Sequence, residues 1–356
     1  MFNSLRIKNF RCFQDINLTS LKRINLIAGK NNVGKTALLE AIFLHLGPNN
    51  PDLLFKIDFF RGITSFALDI DSIWERIYFG EDKKEEIKLT SIDDQKAQRS
   101  VIIRFIESDE SQELQSANGN SSSIKMSGSQ ATTFRQKELI YEYEGRKSQK
   151  AISRMWVASD GPKVNMAKIE RVPPGIFIST MKRFPEEDAE RFSRIERAGQ
   201  EEKILATMKI LEPRLRRMAV LVMGGKPIIA GDIGVGHLVP IPLMGEGMGR
   251  LLSIVLAIAH APKGFVLIDE IENGLHHTVR VDVWRAIADA ARRSNTQIFA
   301  TTHSWECIQA AHQAFKSNKK YNFKMYRLDR IEDNIKAIAY DQKTLEAAIA
   351  TELELR

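Results

Sequence analysis

Apolar positions change their spacing along the chain, and each change predicts a different kind of element. Ile24 to Ala28 (INLIA) is a short apolar run with β-branched content, which predicts a buried strand. Lys35 to Leu46 places Leu38, Leu39, Ile42 and Phe43 at helical spacing and is stopped by Gly47-Pro48. Residues 1–47 therefore read as strand, loop, strand, glycine-rich turn and helix. From about 55 to 160 the pattern shortens to alternating segments such as Ser100 to Ile106 and Leu139 to Tyr143, the period of half-buried strands. Between them, Ser108 to Thr133 is rich in Ser, Gln, Asn and Gly and reads as a mobile, solvated loop or hairpin tip. Pro173-Pro174-Gly175 marks a boundary before the apolar strand Ile176-Phe177-Ile178. Residues 185–220 read as charged helix, broken at Gly199 and Pro213, and those breaks deny a long heptad coiled coil. Met244 to Phe315 alternates helix, strand, helix, strand, helix, which implies a parallel α/β architecture. Leu345 to Leu355 closes the pattern as a short amphipathic helix.

Composition narrows this picture only a little. The chain has 356 residues, 43% apolar and 27% charged, which excludes wholesale disorder and collagen-like repeats. Two cysteines, Cys12 and Cys307, are too few for a disulfide framework or a Cys-rich zinc site, and a reducing cytoplasm is the expected compartment. The opening MFNSLRIKNF lacks a signal pattern, and no apolar run approaches the ~20 residues of a membrane helix, so no membrane partner is expected. A net charge of +7 permits nucleic-acid binding without demanding it.

Chemistry enters at the glycine-rich turn. Gly29-Lys30-Asn31-Asn32-Val33-Gly34-Lys35-Thr36 fits G-x-x-x-x-G-K-[ST] in full, after a predicted strand and at the start of a predicted helix. Successive backbone N–H groups at such a helix N-terminus face an anion, so the loop is a phosphate cradle. Lys35 would bridge the β- and γ-phosphates of a nucleotide, and the Thr36 hydroxyl would ligate Mg²⁺. Gly264 to Ile268 is an apolar strand ending in Asp269 and Glu270: the first acid would hold Mg²⁺, and the second would polarise the attacking water. Gln297 to Ser304 reads as another buried strand with His303 at its tip, where a γ-phosphate sensor is needed.

Taken together, these residues resemble the ABC-type ATPase heads of the RecF, SMC and OLD families, and most of all the OLD-like AAA15/AAA21 subgroup. Leu5 to Phe13 looks like their first strand, Asp269 to His277 like their acid pair running into the D-loop, and Ala300 to Ser304 like their switch-histidine segment. The likeness is specific over 1–47 and 240–310 and weak between. It implies an α/β P-loop head built from a P-loop half (1–54), a β-rich insert (55–175), a helical subdomain (176–243) and a signature, Walker B and switch-histidine half (244–356). It also implies that Gly245, Glu246, Gly247 and Arg250 open the signature helix, which would cap the γ-phosphate held by a second copy; Glu246 stands where transporters and SMC proteins have Ser. Glu270, His303 and Lys35 are then the catalytic set, with ATP and Mg²⁺ bound and a homodimer or larger homo-oligomer closing on them. No Q-loop glutamine can be placed.

Other signals carry less. Adjacent His276 and His277 do not face one metal, Asp69-Ile70-Asp71 lacks the rest of a Toprim nuclease, and Asn318 to Tyr321 lacks the aspartate of a guanine-reading motif, which favours ATP over GTP. Basic clusters lie at Arg146, Lys147, Lys150 and Arg154, at Arg214, Arg216 and Arg217, and at Lys316, Lys319, Lys320 and Lys324, where DNA or RNA could contact the chain. The resemblance implies a switch in defence against phage or plasmids whose effector or nuclease is a separate polypeptide. The alternatives are a RecF/SMC-like DNA repair clamp, and a scaffold or inhibitor that binds ATP without appreciable hydrolysis.

Overall fold

The structure is a computed structural model that describes residues 1–63, 70–80, 85–109, 135–146, 149–158, 161–169, 172–316 and 321–355. In chain order its elements are β1 (Phe2–Phe10), β2 (Phe13–Thr19), β3 (Ile24–Ala28), α1 (Lys35–Leu46), α2 (Leu53–Phe60) and α3 (Ile70–Ile77). Then come β4 (Ile87–Asp93), β5 (Gln98–Asp109), β6 (Arg135–Glu144), β7 (Lys150–Ala158), β8 (Gly161–Asn165), β9 (Gly175–Ile178), α4 (Pro185–Arg197) and α5 (Glu201–Met208). The remainder is β10 (Arg217–Met223), β11 (Lys226–Asp232), β12 (Leu238–Pro240), α6 (Glu246–His260), β13 (Phe265–Ile268), α7 (Arg280–Ser294), β14 (Gln297–Thr301), α8 (Trp305–Lys316), β15 (Phe323–Ile331), β16 (Asn334–Tyr340) and α9 (Gln342–Ala350).

The site rests on a six-stranded sheet of order β16-β15-β3-β14-β13-β9, parallel except for its edge strand β16. Every residue of β3, β13 and β14 is buried, as expected of strands covered on both faces. Their alternation divides the core in two. Leu26, Val266 and Ala300 face helices α4 to α9 on one side, whereas Ile27, Leu267 and Phe299 face α1 on the other. Helix α1 is in turn covered by a seven-stranded antiparallel sheet, β2-β1-β4-β5-β6-β7-β8. Lying between two sheets, it buries every residue but Thr36, which explains why Lys35 to Leu46 is apolar nearly all round.

Two expected boundaries move. Strands β1 and β2 lie in the same sheet as β4 to β8, so residues 55–175 extend the P-loop half and share its core. Residues 176–243 carry the helices α4 and α5, but 217–240 form a three-stranded antiparallel sheet, β10-β11-β12, where charged helix is the expectation up to 220. The Met218 to Met223 run is β-branched and Gly224-Gly225 forms the hairpin turn, a local signal stronger than the charge pattern around it. The Ser108–Thr133 loop from residue 110 onward, Asp69, Lys147 and Asn318 to Lys320 lie outside the described residues.

Candidate active site

The phosphate loop, residues 29–34, joins β3 to α1 and is wedged against the turn between β1 and β2. Gly34 has φ +94°, and a Cβ there would lie 2.6 Å from Cys12 Sγ and 2.9 Å from the Phe13 ring, so both backbone and space demand glycine. Asn32 also takes a left-handed φ, +60°. Lys35 Nζ donates to the carbonyls of Gly29 and Lys30 at 2.7 and 2.8 Å, which folds the ammonium over its own loop. Burial lowers the Lys35 pKa, while Glu270, Asp269 and Glu272 pull it back up.

Opposite the loop, β13 and β14 deliver the acids and the histidine. The Thr36 hydroxyl lies 3.1 and 3.2 Å from the two Asp269 oxygens. Thr301 Oγ1 donates to Asp269 Oδ1 at 2.7 Å and accepts the Glu270 N–H at 2.8 Å. Burial raises the Asp269 pKa, partly offset by the hydrogen bonds from Thr301 and Thr36. The Thr36 hydroxyl and the buried Asp269 carboxylate converge as an all-oxygen donor set that suits Mg²⁺. Glu270 sits at φ +48°, a left-handed position that costs a non-glycine residue ~1–2 kcal/mol. Its carboxylate accepts from Asn273 Nδ2 at 2.9 Å and lies 3.7 Å from His303 Nδ1. Lys35, Thr36, Asp269, Glu270 and His303 thus converge on one end of the sheet.

The signature segment is placed differently. Gly245 (φ +109°) has open space where a Cβ would be, and Glu246 turns to the Arg183 guanidinium at 2.7 Å, its side chain 64% exposed. A Cβ on Gly247 would lie 2.4 Å from the Gly274 carbonyl oxygen, so the start of α6 packs directly on the turn that follows β13. Arg250, expected either to orient the signature or to neutralise charge, points inward. Its residue is 2% exposed, its guanidinium donates to the carbonyls of Ser179 (2.9 Å) and Asp269, and it approaches that of Glu270 (3.3 Å). Burial depresses its pKa to about 10. It braces its own Walker B strand from the signature helix. Thr180, just past β9, donates to the Asp269 carbonyl at 3.0 Å, so Ser179-Thr180 occupies the ground beside Walker B.

Residue-by-residue motif reading misses several partners. Asn273, Glu272 and Thr301 touch the acids or His303, and Glu40 is gripped by Arg11 (3.0 Å) and Arg61 (2.6 Å) beneath α1. Glu272 and Asn273 follow the acid pair after the single residue Ile271, and that nearness is their only local signal. Many of the basic clusters meet acids: Arg146 pairs with Asp93, Arg154 with Glu138, Arg214 with Glu212 and Lys316 with Glu346.

Residues 24–306 match the AAA_21 family, described as "AAA domain, putative AbiEii toxin, Type IV TA system". The chain is 25% identical over 351 residues to an ATP/GTP phosphatase of Helicobacter pylori, 89% of each chain being covered. A 73-residue stretch is 44% identical to the OLD nuclease of Thermus scotoductus, covering 20% of this chain and 14% of that one. Among solved structures, an Smc head bound to the C-terminal winged-helix domain of ScpA aligns with a TM-score of 0.50 at 13% identity, covering 98% of this chain and 99% of the other. That likeness speaks for the fold, an α/β ABC-type P-loop head. No helix among the described residues is long and apolar enough to cross a membrane. The chain belongs to the AAA_21 family and is an ATPase of the ABC class related to the OLD group.

Proposed function

We propose that the protein is a nucleotide switch: two copies close head to head on two ATP molecules, hydrolysis opens them, and the cycle controls a separate effector or nuclease in defence against phage or plasmids. Lys35 leaves its loop carbonyls to meet the β- and γ-phosphates, and the loop N–H groups of residues 30–36 cradle them. Thr36 and Asp269 hold Mg²⁺, which when bound neutralises phosphate charge. Glu270, kept in place by Asn273 and its own Thr301-bonded amide, accepts the proton of the attacking water. His303 offers its ring to the γ-phosphate. The open Gly245 and the N-terminus of α6 supply donors to the nucleotide of the second copy.

The observation that carries this reading is the split of the site. The residues that would meet phosphate and water are assembled within one chain, while Gly245 and Glu246 turn to open space and to Arg183, without a hydrogen bond to residues 29–36 among the described residues. The toxin named in the family description and the likeness to a nuclease support control of an effector. The test is the native mass of tagged Glu270→Gln purified from its own host with ATP and Mg²⁺, beside Lys35→Ala. A dimer or larger assembly with a bound second protein, absent from Lys35→Ala, is expected. An unaccompanied dimer would favour a DNA clamp, and identical monomers would overturn the paired mechanism.

A further inference from the structure

Glu272 stands in the turn after β13 with its side chain only 5% exposed. Its Oε1 accepts the His303 main-chain N–H at 2.9 Å and lies 3.4 Å from His303 Nδ1. One oxygen therefore faces both the backbone and the ring of a residue on the neighbouring strand's exit. The other oxygen, Oε2, is buried and accepts no hydrogen bond among the described residues. A buried carboxylate with an unsatisfied oxygen weakens a fold, so packing alone does not account for it. The main chain around His303 is already pinned by other groups: Thr302 Oγ1 accepts the Ser304 N–H, and Arg280 donates to Ser304 Oγ. The half-exposed ring is different. Among the described residues it forms no hydrogen bond, and its ion-pair contacts are to Glu272 and, at 3.7 Å, to Glu270.

We infer that Glu272 is a positioning residue for hydrolysis: it sets the main chain and ring of His303 so that Nδ1–H points to the carboxylates while Nε2–H, the ring carrying both protons when nucleotide is bound, donates to the γ-phosphate. The inference rests on His303 being the γ-phosphate contact of the proposed function. The 3.4 Å approach of Nδ1 shortens into a hydrogen bond when substrate engages the ring, as such contacts commonly tighten on binding. Outer partners that fix an imidazole in this way commonly govern 10- to 100-fold effects at metal sites, and a comparable size is expected here.

The test is a double-mutant cycle in ATP turnover. Glu272→Gln keeps an oxygen for the His303 N–H but removes the charge. It is expected to lower kcat by roughly ten-fold, leave KM for ATP within about two-fold, and leave Tm unchanged or raised. In a His303→Ala background the same substitution is expected to be silent. An unchanged kcat in Glu272→Gln, or an equal loss in both backgrounds, overturns the positioning role while leaving the ATPase reading intact. Wild-type turnover in His303→Ala alone would instead sink the phosphate-contact reading and the positioning role with it. If Glu272→Gln fails to fold, ring-¹⁵N-histidine spectra of the wild-type protein decide: with His303 assigned by its loss in His303→Ala, a proton on Nδ1 is expected, and a bare Nδ1 beside a protonated Nε2 overturns the inference.

Discussion

The phosphate loop with its acids and the N-terminus of α6 are the two glycine-bearing segments proposed to meet the nucleotide, yet they are built in opposite ways. At the first, Thr36, Asp269, Thr301 and the Glu270 amide form a closed chain of hydrogen bonds, and Gly34 is locked against Cys12 and Phe13. At the second, Gly245 faces open space, and Glu246 is held by one exposed ion pair. Tightness inside one chain suits a group that must not move during chemistry. Openness suits a surface completed from outside, which is the role proposed for the N-terminus of α6.

Breaking the closed half should cost most. Lys35→Ala is expected to lower ATP turnover by ~100-fold or more, read as phosphate release with the protein still folded. Gly247→Ala attacks the junction between the halves, because its Cβ would strike the Gly274 carbonyl. Overpacking of ~1–3 kcal/mol there should abolish ATP-driven pairing of Glu270→Gln while a fluorescent ATP analogue still binds the monomer. Unimpaired pairing would show that the start of α6 is not the contact surface. Arg250→Met strands the buried carbonyls of Ser179 and Asp269, and a loss of ~2–3 kcal/mol should appear as a Tm lower by several degrees.

Acid should loosen the closed half in particular. His45, in α1, is fully buried against Ser91, and burial holds its pKa down to about 3, against an ordinary 6.5. The folded state thus refuses a proton that the unfolded chain accepts below 6.5. Stability is complete above that pH and is lost as pH falls toward 3, by up to ~1.4 kcal/mol per pH unit. Denaturant melts between pH 7 and 5 should show this slope, and His45→Gln should flatten it. The smallest effect belongs to the open half: Glu246→Gln should change monomer stability by no more than ~0.5 kcal/mol in the same melts. A larger loss would mean that the α6 N-terminus is an internal brace and would erase the contrast.

What could be read in advance was what is contiguous. Gly29 to Thr36 and Asp269-Glu270 each declare themselves within a few residues, because strand, turn and chemistry follow one another. Arg250 could not be read this way: its partners at Ser179 and Asp269 lie far off in sequence, and only the fold shows that its guanidinium points inward. Glu272 and Thr301 are likewise ordinary until β13 and β14 are paired. The continuity of the sheet across residue 55 was hidden for a related reason, since nothing local in Leu5 to Leu18 reveals that β1 will take β4 as its second neighbour.

Strand order also sets a schedule for the growing chain. The phosphate-loop strand β3 has β14 and β15 as its parallel neighbours, and both are made nearly three hundred residues later. A nascent chain emerging from the ribosome therefore carries the whole Gly29 to Thr36 motif long before it can hold a phosphate. Until Gln297 to Thr301 slides between β3 and β13, there is no floor beneath the loop, and Asp269 has no Thr301 to meet. Such long-range closure is slow, and a chain interrupted before residue 297 would display the motif without the site.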